Sequence, residues 1–221
     1  MSDDHSSRSK VAASEQPRST LRCDARKAAP QASTAQPRLT SKNLLIRALR
    51  AFERGAELQY LRLAYGHSAF GDDCEIRFGH HFSIARGAEL RFGTGCIIDR
   101  GMTVEVSGRL EVGPRTIFGH HCTVAAKSSV RIGANCLIAE LVSIRDHDHD
   151  FARLDLPTRD QGAVVADVVV GSNVWLGSKV TVLKGVTIGD NAVIGAGAVV
   201  SRDIPENAVA AGVPARVVRY R

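Results

Sequence analysis

A chain of 221 residues in which 44% of the side chains are hydrophobic is long enough to bury the core of one modest domain. Aromatic residues contribute only 5% and glycine occurs 20 times, so that core must consist mainly of small aliphatic side chains. The formal net charge of +6 would suit a polyanion, but much of the positive charge is scattered through the first 54 residues without interleaved aromatic residues, which argues against nucleic acid as a partner.

Residues 1–39 are polar, small and interrupted by proline. Such a composition cannot bury enough apolar surface to offset the entropy of ordering, so it predicts a disordered basic tail. The tail has no apolar run of signal-peptide length, and no segment of the chain approaches the ~20 apolar residues of a membrane span. We therefore expect a cytoplasmic protein; a transit peptide is the alternative, against which Asp3, Asp4 and Glu15 argue.

Residues 40–64 predict an amphipathic helix and a linker, with Ser41 as the N-cap and Gly55 at the end of the helix. The apolar face would carry Leu44, Leu45, Ala48, Leu49 and Phe52. We expect this helix to cap the open end of the repeat domain that follows, where unpaired strand edges would invite aggregation. The alternative is that the basic helix lies on a membrane surface.

Residues 65–204 contain two related repeats. In the first, apolar residues recur every 20 positions, with spacings of six, six and eight within each unit. The four ladders are Phe70, Leu90, Leu110 and Val130; Phe92, Val112 and Ile132; Phe78, Ile98, Phe118 and Ile138; and Ile84, Val104, Val124 and Ile144. In the second, a branched apolar residue stands at every sixth position from Val170 to Val200.

A period of six belongs to neither an α-helix nor a half-buried strand, but it matches the hexapeptide repeat of a parallel β-helix. Three hexads form one triangular coil, and the 20-residue unit is the same coil with one corner enlarged by two residues. The pattern is interrupted once, by a polar and charged insert loop over residues 145–163. Residues 205–221 leave the period and predict a C-terminal tail, in which Pro205 and Pro214 indicate a turn before a closing segment.

The insert begins with an alternation of aspartate and histidine from Asp146 to Asp150. On an extended backbone, His147 and His149 would share one face and the carboxylates the other. An imidazole steadied by a carboxylate or a carbonyl suits a general base that takes a proton from a hydroxyl or an amine. A solvated acidic loop and a divalent metal site are the alternatives at this point.

A second group of histidines is formed by His80, His81, His120 and His121. The two pairs are 40 residues apart, which places them on the same side of the solenoid two coils apart. Two coils span about 9 to 10 Å, a long separation for ligands of one zinc ion at ~2.0 to 2.1 Å each. A surface ladder is therefore favoured over a zinc site.

With the hexads, the insert and the tail in place, the chain resembles the hexapeptide-repeat acyltransferases, and among them the galactoside and maltose O-acetyltransferase-like enzymes of sugar and polysaccharide modification. The resemblance covers about residues 70–221 and rests on the strings IRDHDH, VGSNVWLGSKVTVLKGVTIGDNAVIGAGAVVSRDIPEN and AAGVPARVV. It implies an all-β solenoid, namely a left-handed parallel β-helix. It also implies a homotrimer with acetyl-CoA in the groove between neighbouring subunits.

The resemblance also assigns residues. Counting from Val142, the catalytic histidine of the family falls on His149, with His147 in reserve. The acyl-CoA contacts fall on Ser178, whose backbone N–H would face the thioester oxygen, and on Ala196, Ser201, Arg202 and Arg219, with Arg216 nearby. Two acceptor-binding residues of the galactoside enzymes fall on Gly119 or His120 and on Ala126, so a different acceptor is expected.

These observations predict an acetyl-CoA-dependent O-acetyltransferase that acts on a sugar or a polysaccharide precursor by direct transfer, with a histidine base and no metal. The alternatives are a γ-carbonic anhydrase-like zinc enzyme, an acetyltransferase for an amino sugar or an amino acid, and a non-catalytic scaffold. Because a triangular coil has flat walls and ligand sites are concave, we expect the groove to form between chains, with His149 of one chain opposite Ser178 of the next. Trp175 would lie near that groove or stand alone on the surface.

Overall fold

The computed structural model describes residue 49, residues 55–66 and residues 69–221, and the account below is confined to them. The tail predicted over residues 1–39 lies outside this part of the chain, as do Ser41, Leu44, Leu45, Ala48 and Phe52 of the predicted helix. No helix in the described ranges is long and apolar enough to cross a membrane.

Three sheets form the sides of a triangular solenoid, and we call them sides A, B and C. In spatial order, side A contains β1 (Glu75–Ile76), β4 (Ile97–Ile98), β7 (Ile117–Phe118), β10 (Leu137–Ile138), β15 (Trp175–Leu176), β18 (Val193–Ile194), β20 (Ala208–Ala211) and β21 (Arg216–Tyr220). Side B contains β19 (Val199–Val200), β16 (Thr181–Val182), β11 (Ser143–Arg145), β8 (Thr123–Ala126), β5 (Thr103–Val106) and β2 (His81–Ile84). Side C contains β17 (Thr187–Ile188), β14 (Val168–Val170), β9 (Ser129–Ile132), β6 (Arg109–Val112) and β3 (Glu89–Phe92).

Within each side, neighbouring strands are parallel and come from successive coils, apart from the antiparallel pair of β20 and β21. The residues that point inward are mostly aliphatic and stack in register from coil to coil. On side A the ladder is Ile76, Ile98, Phe118, Ile138, Leu176 and Ile194, each at most 2% exposed. Full burial of such a side chain stabilises the fold by roughly 1.5–3 kcal/mol. The all-β solenoid that the hexads predict is confirmed.

The first coil differs from the prediction. Ile76 pairs with Ile98 and Phe82 with Val104, so this coil is 22 residues long instead of 20, and Phe78 is 65% exposed outside the core. The extra length lies in the turn at residues 85–88, where the next coil needs only Ser107 and Gly108. Since side chains alternate with a period of two, a slip of two residues preserves the alternation of inward and outward positions, so the sequence pattern does not reveal it. The ladders that begin at Phe70, Phe78 and Ile84 are therefore wrong in register by two residues.

Helical residues are found beyond Gly55, the predicted end of the N-terminal helix. Residues 55–65 are helical, so Gly55 is not a helix terminus as predicted. Glycine costs a helix about 1 kcal/mol relative to alanine, which the burial of Leu61, 2% exposed in the core, more than offsets. Leu49, on the predicted apolar face, is 53% exposed.

The same helix covers the edge of the first coil. Arg62 Nη2 donates to the carbonyl oxygens of Phe70 at 3.1 Å and Gly71 at 2.9 Å. The Tyr65 hydroxyl donates to the carbonyl oxygen of Phe82 at 2.9 Å. These donors satisfy backbone acceptors at the start of the solenoid, where the described residues include no preceding strand to pair with them.

The insert forms an antiparallel arm that leaves the solenoid between sides B and C. Strand β12 (His147–His149) pairs with β13 (Ala163–Val165), and a 3-10 turn (Thr158–Asp160) lies between them. We call residues 147–165 the arm. At the other end of the solenoid, β20 still pairs with β18 of side A, so the solenoid continues into the segment predicted as a tail.

Candidate active site

Asp146 anchors the base of the arm. Its carboxylate is fully buried and accepts hydrogen bonds from the backbone N–H groups of Lys127 at 2.8 Å and Ser128 at 2.6 Å. His147 Nδ1 lies 2.8 Å from Asp146 Oδ1. Because a carboxylate can only accept, Nδ1 carries the proton, and Nε2 of His147 is left as a hydrogen-bond acceptor.

The second histidine of the arm is free of such contacts. His149 is exposed and lies opposite Ala163 in the hairpin, two residues beyond His147 on the same face of β12, which corresponds to about 7 Å along the strand. Within the described part of the chain, its ring makes no hydrogen bond. Asp148 points to the other face and accepts from Lys184 Nζ at 2.5 Å, which ties the arm to the next coil.

A cleft of about 290 Å³ opens beside His147 on side B. Its lining is Ser83, Ile84, Ala85, Glu105, Val106, Ser107, Ala126, Lys127 and His147. The imidazole that Asp146 orients therefore faces a concave space that also holds hydroxyl, carboxylate and ammonium groups. Such convergence of a few polar groups in a concavity is typical of a small-molecule site.

Ser178 and Ala196 stack on each other at the corner between sides A and B, which we call corner AB. Gly197 N–H donates to the Ser178 carbonyl oxygen at 2.8 Å, and the backbone N–H groups of Ser178 and Ala196 have no acceptor among the described residues. The Ser178 hydroxyl bonds to Glu140 in the coil below and lowers the pKa of that carboxyl. These two N–H groups, one coil apart, could donate to the carbonyl and amide oxygens of a thioester and its pantetheine arm.

The other predicted cofactor residues lie elsewhere on a single chain. Ser201 and Arg202 are exposed at the corner between sides B and C, which we call corner BC. Arg216 and Arg219 lie on β21 at the end of side A, where Arg219 lines a cleft of about 340 Å³ together with Trp175 and Arg221. The structure therefore brings Ser178 and Ala196 together and keeps His149, Arg202 and Arg219 apart from them.

The histidines of the first coils have separate partners. His80 Nδ1 accepts from the Met102 N–H at 3.2 Å, and burial lowers the pKa of His80. His120 Nδ1 lies 3.3 Å from Asp99 Oδ1, and Arg77 donates to the other oxygen of that carboxylate at 2.8 Å. In the described ranges, no group of three or more histidine, cysteine, aspartate or glutamate side chains is arranged to hold a metal ion. In the register of the strands, His80 aligns with Met102 and Cys122 and is half-buried, two residues out of step with His120, so the surface ladder that the spacing favours does not form.

Sequence reasoning did not identify the roles of Asp146 and Glu140. Asp146 looks like Asp148 and Asp150 in the alternating run, and its burial depends on N–H groups from the preceding coil. Glu140 meets Ser178 only through the register of the coils. No local motif marks either residue.

Comparison with known proteins agrees with this geometry. The family model described as bacterial transferase hexapeptide (six repeats) matches residues 167–202. The putative lipopolysaccharide biosynthesis O-acetyl transferase WbbJ of Escherichia coli is 37% identical over 156 residues, which cover 67% of this chain and 73% of that protein. A probable acetyltransferase of Mycobacterium tuberculosis is 36% identical over 62% of this chain, a match that spans only 39% of the relative's length.

Among solved structures, a galactoside acetyltransferase in complex with coenzyme A is 28% identical, with a TM-score of 0.51, and the match covers 82% of this chain and 85% of that one. The family model matches part of the solenoid, and the match to WbbJ extends over two thirds of this chain. Together they identify the solenoid as a left-handed parallel β-helix, and the chain belongs to the hexapeptide-repeat acyltransferases.

Proposed function

We propose that this chain is a cytoplasmic acetyl-CoA-dependent O-acetyltransferase that acts on a sugar or a polysaccharide precursor. The observation that carries the proposal is the arm, which presents two imidazoles on one face and fixes the first of them to the buried carboxylate of Asp146. The names of the relatives supply the reaction class: WbbJ is described as an O-acetyl transferase, and the solved galactoside acetyltransferase holds coenzyme A.

In the proposed mechanism, His149 removes the proton of an acceptor hydroxyl as its oxygen attacks the carbonyl carbon of the thioester. The oxyanion that develops accepts a hydrogen bond from the backbone N–H of Ser178. This N–H has no other acceptor among the described residues. The carbon–sulfur bond then breaks, and the imidazolium returns the proton to the departing thiolate. The acetyl group passes directly to the acceptor, without an intermediate on the protein.

The position of the two groups supports a site shared between copies of the chain. Ser178 lies at corner AB, whereas the arm leaves the solenoid at corner BC, so the whole of side B separates them within one chain. The tip of the arm carries Phe151 and Leu154, which are 74% and 100% exposed. A homotrimer would cover these side chains and set His149 of one copy opposite the Ser178 region of its neighbour.

The proposal is tested by the release of coenzyme A thiol from acetyl-CoA in the presence of sugars, amino sugars and amino acids. His149→Ala should reduce transfer by ~10²-fold or more, as expected for loss of a general base. His81→Ala removes another exposed imidazole from side B and is the matched control. Wild-type rates for His149→Ala would refute the base assignment, and transfer confined to an amino acid such as serine would refute the sugar assignment.

The same assay distinguishes an acetyltransferase from a scaffold and from a zinc enzyme. A non-catalytic scaffold would neither bind coenzyme A nor release thiol with any acceptor. A γ-carbonic anhydrase-like enzyme would contain near-stoichiometric zinc and hydrate CO₂ without acetyl-CoA. In the structure, His80 contacts Met102 and His120 contacts Asp99. These separate contacts do not support a zinc site made from the two histidines.

A further inference from the structure

Glu105, on side B of the solenoid, forms no ion pair or hydrogen bond with any described residue. Several other carboxylates on the solenoid walls are engaged: Glu111 accepts from Arg109 at 2.6 Å, and Asp99 accepts from Arg77 at 2.8 Å. Glu105 is exposed on β5 of side B, and its register neighbours on the adjacent coils are Ser83 and Ala125. Neither neighbour carries a charge that could neutralise it.

The same carboxylate lines the cleft beside His147. The enlarged turn at residues 85–88 contributes Ala85 to one end of that cleft, and His147 lies at the arm end. Between them, Ser107 and Lys127 belong to successive turns at corner BC, and Ala126 contributes only a methyl group. The cleft thus has room beside Glu105, donors in Ser107 and Lys127, and an acceptor in the carboxylate.

The chemistry of these groups selects a kind of ligand. An unpaired carboxylate accepts hydrogen bonds from hydroxyl groups, and a charged acceptor makes stronger bonds than a neutral one. A sugar ring presents adjacent hydroxyl groups that can donate to Glu105 while their oxygens accept from Lys127 and Ser107. A sugar ring that itself carries a carboxylate would place this group close to Glu105, and repulsion between the two negative charges would disfavour its binding.

We infer that Glu105 is the residue that selects the acceptor, and that it favours a neutral, hydroxyl-rich sugar ring over one that carries a carboxylate. This inference rests on the proposed function, because the cleft opens beside the arm that would supply the general base. The ring would lie between Glu105 and His147, with the reacting hydroxyl directed along β12 toward His149.

The test compares Glu105→Gln with the wild type, using acetyl-CoA and the methyl glycosides of galactose, glucose, galacturonic acid and glucuronic acid. Glutamine keeps the size of the side chain and removes its charge. The KM for the better neutral acceptor should rise about 10- to 100-fold, the loss expected for hydrogen bonds to a charged group, while the KM for acetyl-CoA stays unchanged. The preference for neutral over acidic glycosides should fall at least tenfold.

Glu111→Gln is the matched control, because Glu111 belongs to the same coil but lies on side C, away from the cleft. An acceptor KM and a neutral-to-acidic preference equal to those of the wild type would overturn the role of Glu105 and leave the proposed function standing. If the wild type transfers acetyl only to acceptors that are not sugars, the inference fails. If it neither transfers acetyl nor binds coenzyme A, the proposed function fails as well.

Discussion

The carboxylate of Asp146 lies 2.8 Å from the imidazole of the next residue, His147, and is completely buried at the point where the arm leaves side B. It also accepts hydrogen bonds from two backbone N–H groups of the preceding coil. One side chain therefore both closes a turn of the solenoid and sets the tautomer of an imidazole in the candidate site. Substitution of Asp146 should therefore affect both stability and catalysis.

Asp146→Asn should weaken catalysis, because the neutral amide no longer fixes the proton on His147 Nδ1. We expect kcat to fall by at least about tenfold with the KM for acetyl-CoA unchanged. Lys127 N–H and Ser128 N–H donate to different oxygens of Asp146, so Asn leaves one of them unpaired and Ala leaves both, at a cost in stability of about 1–3 kcal/mol for each buried group. Steady-state kinetics and urea unfolding measure the two effects. Asp148→Asn, which affects only the contact to Lys184, is the control, and equal losses in both variants would contradict the role of Asp146.

Removal of the Leu61 side chain should uncover the first coil. Leu61 is 2% exposed and belongs to the core, so Leu61→Ala should lower the free energy of unfolding by about 2–5 kcal/mol. Leu63 lies on the same helix but is 85% exposed, and Leu63→Ala should change the stability by less than about 0.5 kcal/mol. Denaturant unfolding of the two variants compares them directly. Equal effects would mean that the helix does not cap the solenoid.

The half-buried His80 should make stability depend on pH. Burial lowers the pKa of His80 in the folded state, so the unfolded chain binds a proton at this site more readily. Its contribution is therefore complete above the ordinary histidine pKa of about 6.5 and is lost as the pH falls through the lower folded value. His80→Asn, which keeps an acceptor for the Met102 N–H, should lose less stability between pH 7 and pH 5 than the wild type. Identical pH profiles from unfolding experiments would contradict this.

A shared site predicts complementation between inactive chains. His149→Ala removes the proposed base, and Ala196→Tyr should block the groove at an exposed position without disturbing the core. Each variant alone should be inactive, but in mixed trimers about one site in three would combine an intact His149 with an intact groove. Co-refolding followed by the thiol-release assay measures the recovery. No recovery, or a fully active monomer by light scattering, would contradict the shared site.

The hexads predict the solenoid well because a period of six leaves few other structures for a core of valine and isoleucine. They do not define the register of the first coil, because two apolar residues two positions apart fit each inward position equally well. These pairs are Ile76 and Phe78, and Phe82 and Ile84. The sequence predicts that His147 and His149 share one face of the strand. It does not predict the burial of Asp146, because the hydrogen-bond partners of Asp146 are backbone groups some 18 residues away that only the winding of the chain brings near.

The extra residues of this solenoid gather at corner BC: the turn at residues 85–88, and the arm that follows Asp146. The coils that carry Ser178 and Ala196 at corner AB keep the strict hexad. In a stacked architecture, lengthening one corner leaves the ladders on all three sides in register, so it disturbs no core packing. Under the proposed function, insertion at this one vertex of the triangle would remodel the acceptor pocket and leave the acetyl-CoA groove at the other vertex unchanged.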